Sequence, residues 1–222
     1  MPSSDDAAVA AARTAVVGHC LRLLADGLVE GSAGNISIRV GDKFVMSPSG
    51  MKYDKVTEEH VNVLSSSGQV LDGKGRRSSE WPMHRRIYDI SGTGAVVHTH
   101  SMVSVAVGTI ADEIPAVHYA VLRLGGPTVR VAPYATFGSD KLAENVVAAL
   151  EGRFAALMQN HGTVAYGRTV EEAYDRVSVL EWLAEVYWRA RLAGTPRILS
   201  PQELADITES ARRRRYEAGG SS

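Results

Sequence analysis

GSAGNISIRVGDKFVM, residues 31–46, is the stretch that decides the fold. A glycine-rich turn leads into Ile36, Ile38 and Val40. This alternation predicts a strand with one face buried. Gly41-Asp42 is a two-residue hairpin signal, and Lys43 to Met46 continues as the returning strand. Two strands joined so closely are antiparallel, which argues against a strictly alternating parallel β/α fold.

Working outward, residues 5–28 carry Val9, Val16, Cys20, Leu21, Leu24 and Leu28 near a 3.6-residue period, with Gly27 near the end. That pattern predicts an amphipathic helix. Beyond the hairpin, SPSGMKYDK reads as a loop. Ser78-Ser79 leads a helix, with Ser79 as its N-cap and Pro82 tolerated in the first turn. Strands are expected at Ala95 to His100, Val129 to Ala132, Phe154 to Met158 and Thr163 to Tyr166, and a helix at Ser139 to Leu150. Thr169-Val170-Glu171-Glu172 is a capping box opening a helix to about Leu192, closed by Gly194 and Pro196. The end, 208–222, is polar, holds Arg212 to Arg215 and Tyr216, and is expected to be a mobile tail. With no linker in between, 1–222 reads as one α/β domain, a largely antiparallel sheet covered by helices.

The 222 residues carry 24 basic and 25 acidic side chains, a net charge of −1, so no global field favours nucleic acid or an anionic membrane. No apolar stretch is read as approaching the ~20 residues of a membrane helix. The N-terminus has no basic region before an apolar block, as a secretory signal would. The single cysteine, Cys20, has no internal partner and falls on the apolar side of the first helix. A buried, inert thiol in a reducing cytoplasm is the expectation.

Three histidines carry the chemistry: His98 and His100 in AVVHTHS, and His161 in LMQNHGTVAYG. On a strand, i and i+2 point out of the same face. Left as core residues, such a pair would bury two polar rings without partners. Joined by a third imidazole from far along the chain, they make three sides of a tetrahedral metal site with one position open, the arrangement of a catalytic centre. Neutral imidazoles favour Zn2+, with Mn2+, Co2+ or iron as other occupants. His19, His60 and His84 read as ordinary packed or surface histidines.

Glu80, in SSEWPMHRR, opens a predicted helix. One reading is a partner for the helix dipole. The other is a fourth metal ligand that becomes a base once substrate displaces it. Gly31-Ser32-Ala33-Gly34-Asn35, Ser47-Pro48-Ser49-Gly50 and Ser78-Ser79 are three hydroxyl- and glycine-rich segments. Together they could cradle a phosphate, and separately each is a common turn.

The segments GSAGNISIR, SPSG, SSEWPMHRRIY, VVHTHS, IPAVHYA, APYATFGS and QNHG resemble the class II aldolase/adducin family, and within it the zinc-dependent L-fuculose-1-phosphate aldolases. The resemblance implies a three-layer α/β/α sandwich around a largely antiparallel sheet. It implies Zn2+ on His98, His100 and His161, Glu80 as acid and base, and a phosphate pocket of Ser32, Asn35, Ser49, Gly50, Ser78 and Ser79. Tyr119, in IPAVHYA, would reach a neighbouring subunit's site as proton donor. Phe137 would line the aldehyde pocket, and Tyr216 matches a tyrosine of the family's C-terminal tail. The assembly implied is a cytoplasmic homotetramer with active sites between subunits. The reaction implied is reversible cleavage of a ketose 1-phosphate to dihydroxyacetone phosphate and an aldehyde through a metal-stabilised enediolate. Sugar-phosphate 4-epimerases of the family carry Asp where this chain has Glu80, which favours the aldolase. The 4-epimerases, decarboxylases and dehydratases with the same chemistry are the nearest alternatives. Adducin heads, which share the fold as interaction modules, lack the three histidines.

Overall fold

The computed structural model describes residues 4–219, and side chains as far as residue 214. The hairpin sets the sheet. β1 (Asn35–Val40) and β2 (Lys43–Met46) pair antiparallel, with Val40 opposite Lys43 and Ser37 opposite Met46. β3 (Asn62–Leu64) and β4 (Val70–Asp72) extend that side of the sheet. β5 (Ala95–Thr99), β9 (Gly162–Gly167), β8 (Ala155–Met158), β7 (Val129–Ala132) and β6 (Glu113–Ile114) continue the other. Among the described pairings only β7 with β8 is parallel.

Two-residue periodicity divides the sheet between two cores. Ile36, Val45, Ala95, Val97, Leu157 and Ala165 pack with α1 (Ser4–Ala25), α3 (Met102–Gly108) and α5 (Val170–Ala193). Phe44, Met46, Val96, Ala156, Met158 and Val164 face α2 (Trp81–Ser91) and α4 (Asp140–Ala149) on the opposite side. Helices therefore cover both faces of a mixed sheet, an α/β architecture. β5 is buried along its whole length, and its even-numbered residues point toward α2. This alternation aims His98, two residues after Val96, at the first turn of α2.

Several sequence expectations shift. α1 stops at Ala25 rather than residue 28, because Gly27 takes φ 68° and the Leu28 N–H turns back to the Leu23 carbonyl at 2.9 Å. α1 is 22 residues long and, by length and composition alone, apolar enough to cross a membrane, contrary to the sequence reading. One face of it, Ala12, Val16, His19, Cys20 and Leu23, is packed into the core. Ser79 is not the N-cap of α2. Glu80 occupies that position, and its own N–H donates to Ser78 Oγ at 3.2 Å. β5 ends at Thr99, leaving His100 just past the strand. The polar end is helical as far as it is described: α6 runs Pro201–Gly219, its side chains up to residue 214 are mostly exposed, and buried Leu204 anchors it.

Candidate active site

β1 and β5 place Asn35 directly opposite His98, and the tight connection between β8 and β9 brings His161 to the same end of the sheet. Asn160, at φ 54°, is the one non-glycine with positive φ among the described residues, and it turns the chain so that His161 meets the other two imidazoles. The three ring centroids lie 4.8–4.9 Å apart pairwise. His98 Nδ1 lies 2.7 Å from the Thr163 carbonyl, which can only accept, so that nitrogen carries the proton and Nε2 is left for the cluster. His100 Nε2 is 3.0 Å from His98 Nε2.

Glu80 closes the fourth side. Its Oε2 lies 3.0 Å from His98 Nε2 and its Oε1 3.3 Å from His161 Nε2. The four potential donor atoms all lie within 4.8 Å of one another. Glu80 is buried, and Oε1 has no hydrogen-bond partner. A buried carboxylate oxygen left unpaired beside imidazole nitrogens is a costly arrangement that a cation relieves. Burial and the neighbouring His98 lower His100 to about 3, and burial with His98 lowers His161 to about 4. Both rings are therefore neutral, as metal ligands must be. Burial opposes charge on His98, but Glu80 and the Thr163 carbonyl raise it, so a metal must displace the proton it shares with Glu80. Burial opposes ionisation of Glu80, yet His98, His161 and the Asn35 amide hold its carboxyl well below the usual range. The residues present fit a divalent metal ion.

Gly34 lets the loop before β1 approach this centre. At φ 85°, a Cβ there would stand 2.6 Å from the His98 carbonyl oxygen, so only glycine seats Asn35 against β5 without displacing the strand.

Beside the cluster lies a cleft of about 390 Å³. Ser32, Asn35, Ser49, Gly50, Ser78 and Ser79 all line it, together with Glu80, His100, His161 and Phe137. The three small-residue segments, far apart in sequence, thus meet around one space. Among the described residues no Lys or Arg lines it, but Arg76 donates to the lining Ser49 Oγ at 3.2 Å.

Residues 14–188 match the family described as Class II Aldolase and Adducin N-terminal domain. The chain is 37% identical over 196 residues to an L-fuculose phosphate aldolase of Escherichia coli O6:H1, covering 87% of this chain and 91% of that protein. It is 39% identical over 184 residues to a 5-methylthioribulose-1-phosphate/5-deoxyribulose-1-phosphate aldolase of Rhodospirillum rubrum, covering 82% and 83%. A solved L-fuculose 1-phosphate aldolase superposes with a TM-score of 0.85 at 31% identity, covering 96% of this chain and 98% of that one. The chain belongs to the class II aldolase/adducin family.

Class II aldolases are metal-dependent enzymes, and this member has a Glu/His₃ set able to bind the metal. It is an enzyme of the aldehyde-lyase class. Within the class II aldolase chain, Phe137 is 66% exposed at the rim of the cleft. Tyr119 is 54% exposed and is not among the residues lining its own chain's cleft. It begins a 3-10 turn capped by His118, whose Nδ1 accepts from the Ala120 N–H at 3.1 Å and whose ring stacks on Tyr119. Tyr216 falls among the residues whose side chains lie outside the description. Three cleft residues went unpredicted, Ala135 and two polar ones. Tyr134, in APYATFGS, and Asn160, in QNHG, stand in quoted motifs, but nothing in their spacing marks them. The Asn35 carboxamide is less free than a phosphate contact would be, because it already binds Glu80 and His84.

Proposed function

We propose that the protein is a zinc-dependent aldolase that reversibly cleaves a ketose 1-phosphate, such as L-fuculose 1-phosphate, to dihydroxyacetone phosphate and an aldehyde. The observation that carries this reading is that one cleft is lined both by Glu80, His100 and His161 and by all three hydroxyl-rich loops. A phosphate held by Ser32, Asn35, Ser49, Gly50, Ser78 and Ser79 would set the neighbouring carbons of the substrate against Glu80.

His98, His100 and His161 would hold the metal, with Glu80 completing the set at rest. When bound, the metal would supply Lewis-acid stabilisation of the negative charge that develops as the C–C bond breaks. Glu80 Oε1, buried and without a hydrogen-bond partner, is the atom available to move a proton. In the addition direction it removes the α-proton of dihydroxyacetone phosphate, and in cleavage it returns one to the same carbon. Tyr119 of an adjacent copy, in a homotetramer with sites between subunits, protonates the alkoxide at the aldehyde carbon. Phe137 packs against the aldehyde substituent. One domain spanning 1–222 would carry out the whole reaction in the cytoplasm.

A second reading of the substrate, 5-methylthioribulose 1-phosphate or 5-deoxyribulose 1-phosphate, is favoured by the identity to the R. rubrum relative. A panel of these ketose 1-phosphates, with ribulose 5-phosphate and phosphorylated keto-acids beside them, tests the proposal. Release of dihydroxyacetone phosphate from a ketose 1-phosphate supports the aldolase. Epimerised or decarboxylated product with no dihydroxyacetone phosphate rejects it.

A further inference from the structure

Behind the metal cluster runs a chain of buried polar groups in which Ser37, His84 and Tyr88 have had no role so far. Asn35 Nδ2 donates to Glu80 Oε2 at 2.8 Å. Asn35 Oδ1 is hydrogen-bonded to His84 Nε2. His84 Nδ1 lies 2.7 Å from Ser37 Oγ, and Ser37 Oγ lies 2.8 Å from the Tyr88 hydroxyl. All five residues are buried, with Ser37 and His84 fully so. The elements explain the geometry: Asn35 and Ser37 are i, i+2 on β1, and His84 and Tyr88 are i, i+4 on α2, so two facing rows interleave.

The direction of every bond follows from its end. The Glu80 carboxylate only accepts, so the Asn35 NH2 must face it and the amide oxygen must face His84. His84 then carries its proton on Nε2, which leaves Nδ1 as acceptor for the Ser37 hydroxyl, and Tyr88 donates to Ser37. A reversed amide would set its oxygen against the carboxylate, two acceptors face to face with no proton between them, which the Glu80 end of the chain excludes.

We propose that His84 is a positioning residue which, by locking the Asn35 amide, aims the Glu80 carboxylate at the three imidazoles. The inference rests on the reading of Glu80, His98, His100 and His161 as the metal site, but not on any substrate. Groups that orient metal ligands in this way typically contribute about 10- to 100-fold in metal affinity.

The test is Co2+ titration of the metal-stripped full chain, read by visible absorption, with folding checked by circular dichroism. His84→Phe should weaken Co2+ about 10- to 100-fold. His84→Gln, whose amide restores an N–H to Asn35 Oδ1, should return to within about three-fold of the unsubstituted protein. In a Glu80→Ala background, His84→Phe should add less than about two-fold, because the residue it acts through is gone. Ser37→Ala, which removes only the donor to Nδ1, gives a smaller loss in the same direction and serves if His84→Phe does not fold. Undiminished affinity in folded His84→Phe or Ser37→Ala overturns the inference. So does an equal loss with and without Glu80, which would mark His84 as merely structural. If the unsubstituted protein binds no Co2+, the metal reading falls and takes the inference with it. Failure on the ketose phosphates alone leaves this result standing and rejects only the aldolase.

Discussion

His98 on β5 donates its Nδ1 proton to the carbonyl of Thr163 on β9, 2.7 Å away. The bond fixes which nitrogen remains for the cluster, and it is set by strand register, with His98 opposite Val164 and Thr99 opposite Thr163. A backbone carbonyl cannot change rotamer, so the imidazole is oriented before any ion arrives. The first prediction follows. The purified protein should bind about one divalent metal per chain, since one such cluster is present among the described residues. His98→Ala should abolish stoichiometric binding. Chelation should lower the melting temperature of the unsubstituted protein and not that of the variant, because an ion bound only by the folded state stabilises it. Equal melting temperatures with and without chelator would contradict this.

Glu80→Gln, assayed at saturating metal, should keep the ion through the three imidazoles and lose ketose-phosphate cleavage by about 10²- to 10⁴-fold, the range for removal of a positioned acid–base group. Retained cleavage would show that another group moves the proton.

Gly34→Ala places a methyl 2.6 Å from the His98 carbonyl at a backbone φ of 85°. A loss of about 1–3 kcal/mol is expected, from overpacking added to the strained conformation. Metal affinity should fall as well, because β1 and β5 are pushed apart where Asn35 faces His98. Urea unfolding midpoints measure the first effect, and a shift under about 0.5 kcal/mol would place the substitution in the ordinary surface class.

Alkaline pH should destabilise the fold. Burial pushes the Cys20 thiol up to about 12 from 9.0, and burial raises the hydroxyls of Tyr53 and Tyr88 above 10.0. Each group holds its proton more tightly folded than unfolded. Their contribution is complete below about pH 9 and declines as pH rises past it, because the unfolded chain sheds protons that the folded chain keeps. One such group changes stability by at most about 1.4 kcal/mol per pH unit. Cys20→Ala should therefore make the decline between pH 9 and 10 shallower, whatever it does to stability at neutral pH. An unchanged slope would mean the thiol titrates alike in both states.

The hairpin at 35–46, the capped helix at 170–193 and the strands around His161 were legible because each is written in local signals: alternation, a two-residue turn, a capping box. β3, β4 and β6 were not legible. They are two or three residues long, too short for a period to register, and they become strands only by pairing with neighbours. The helical end escaped because polarity reads as disorder unless a partner for Leu204 is known. In the site, HTH and QNHG announced the metal cluster. Residues of three hydroxyl- and glycine-rich segments, far apart in sequence, line one cleft. His84 was passed over as an ordinary histidine, because its significance lies in the partner across from it, Asn35 on β1, 49 positions away in sequence.

The most direct test of the central claim, that this cluster supports enediolate chemistry, is proton exchange at the α-carbon of dihydroxyacetone phosphate in deuterated water, followed by NMR. The account predicts stereospecific loss of one proton signal, abolished by chelator and restored by Zn2+ or Co2+. Exchange that persists after complete removal of metal, or none in the metal-loaded protein, would contradict it.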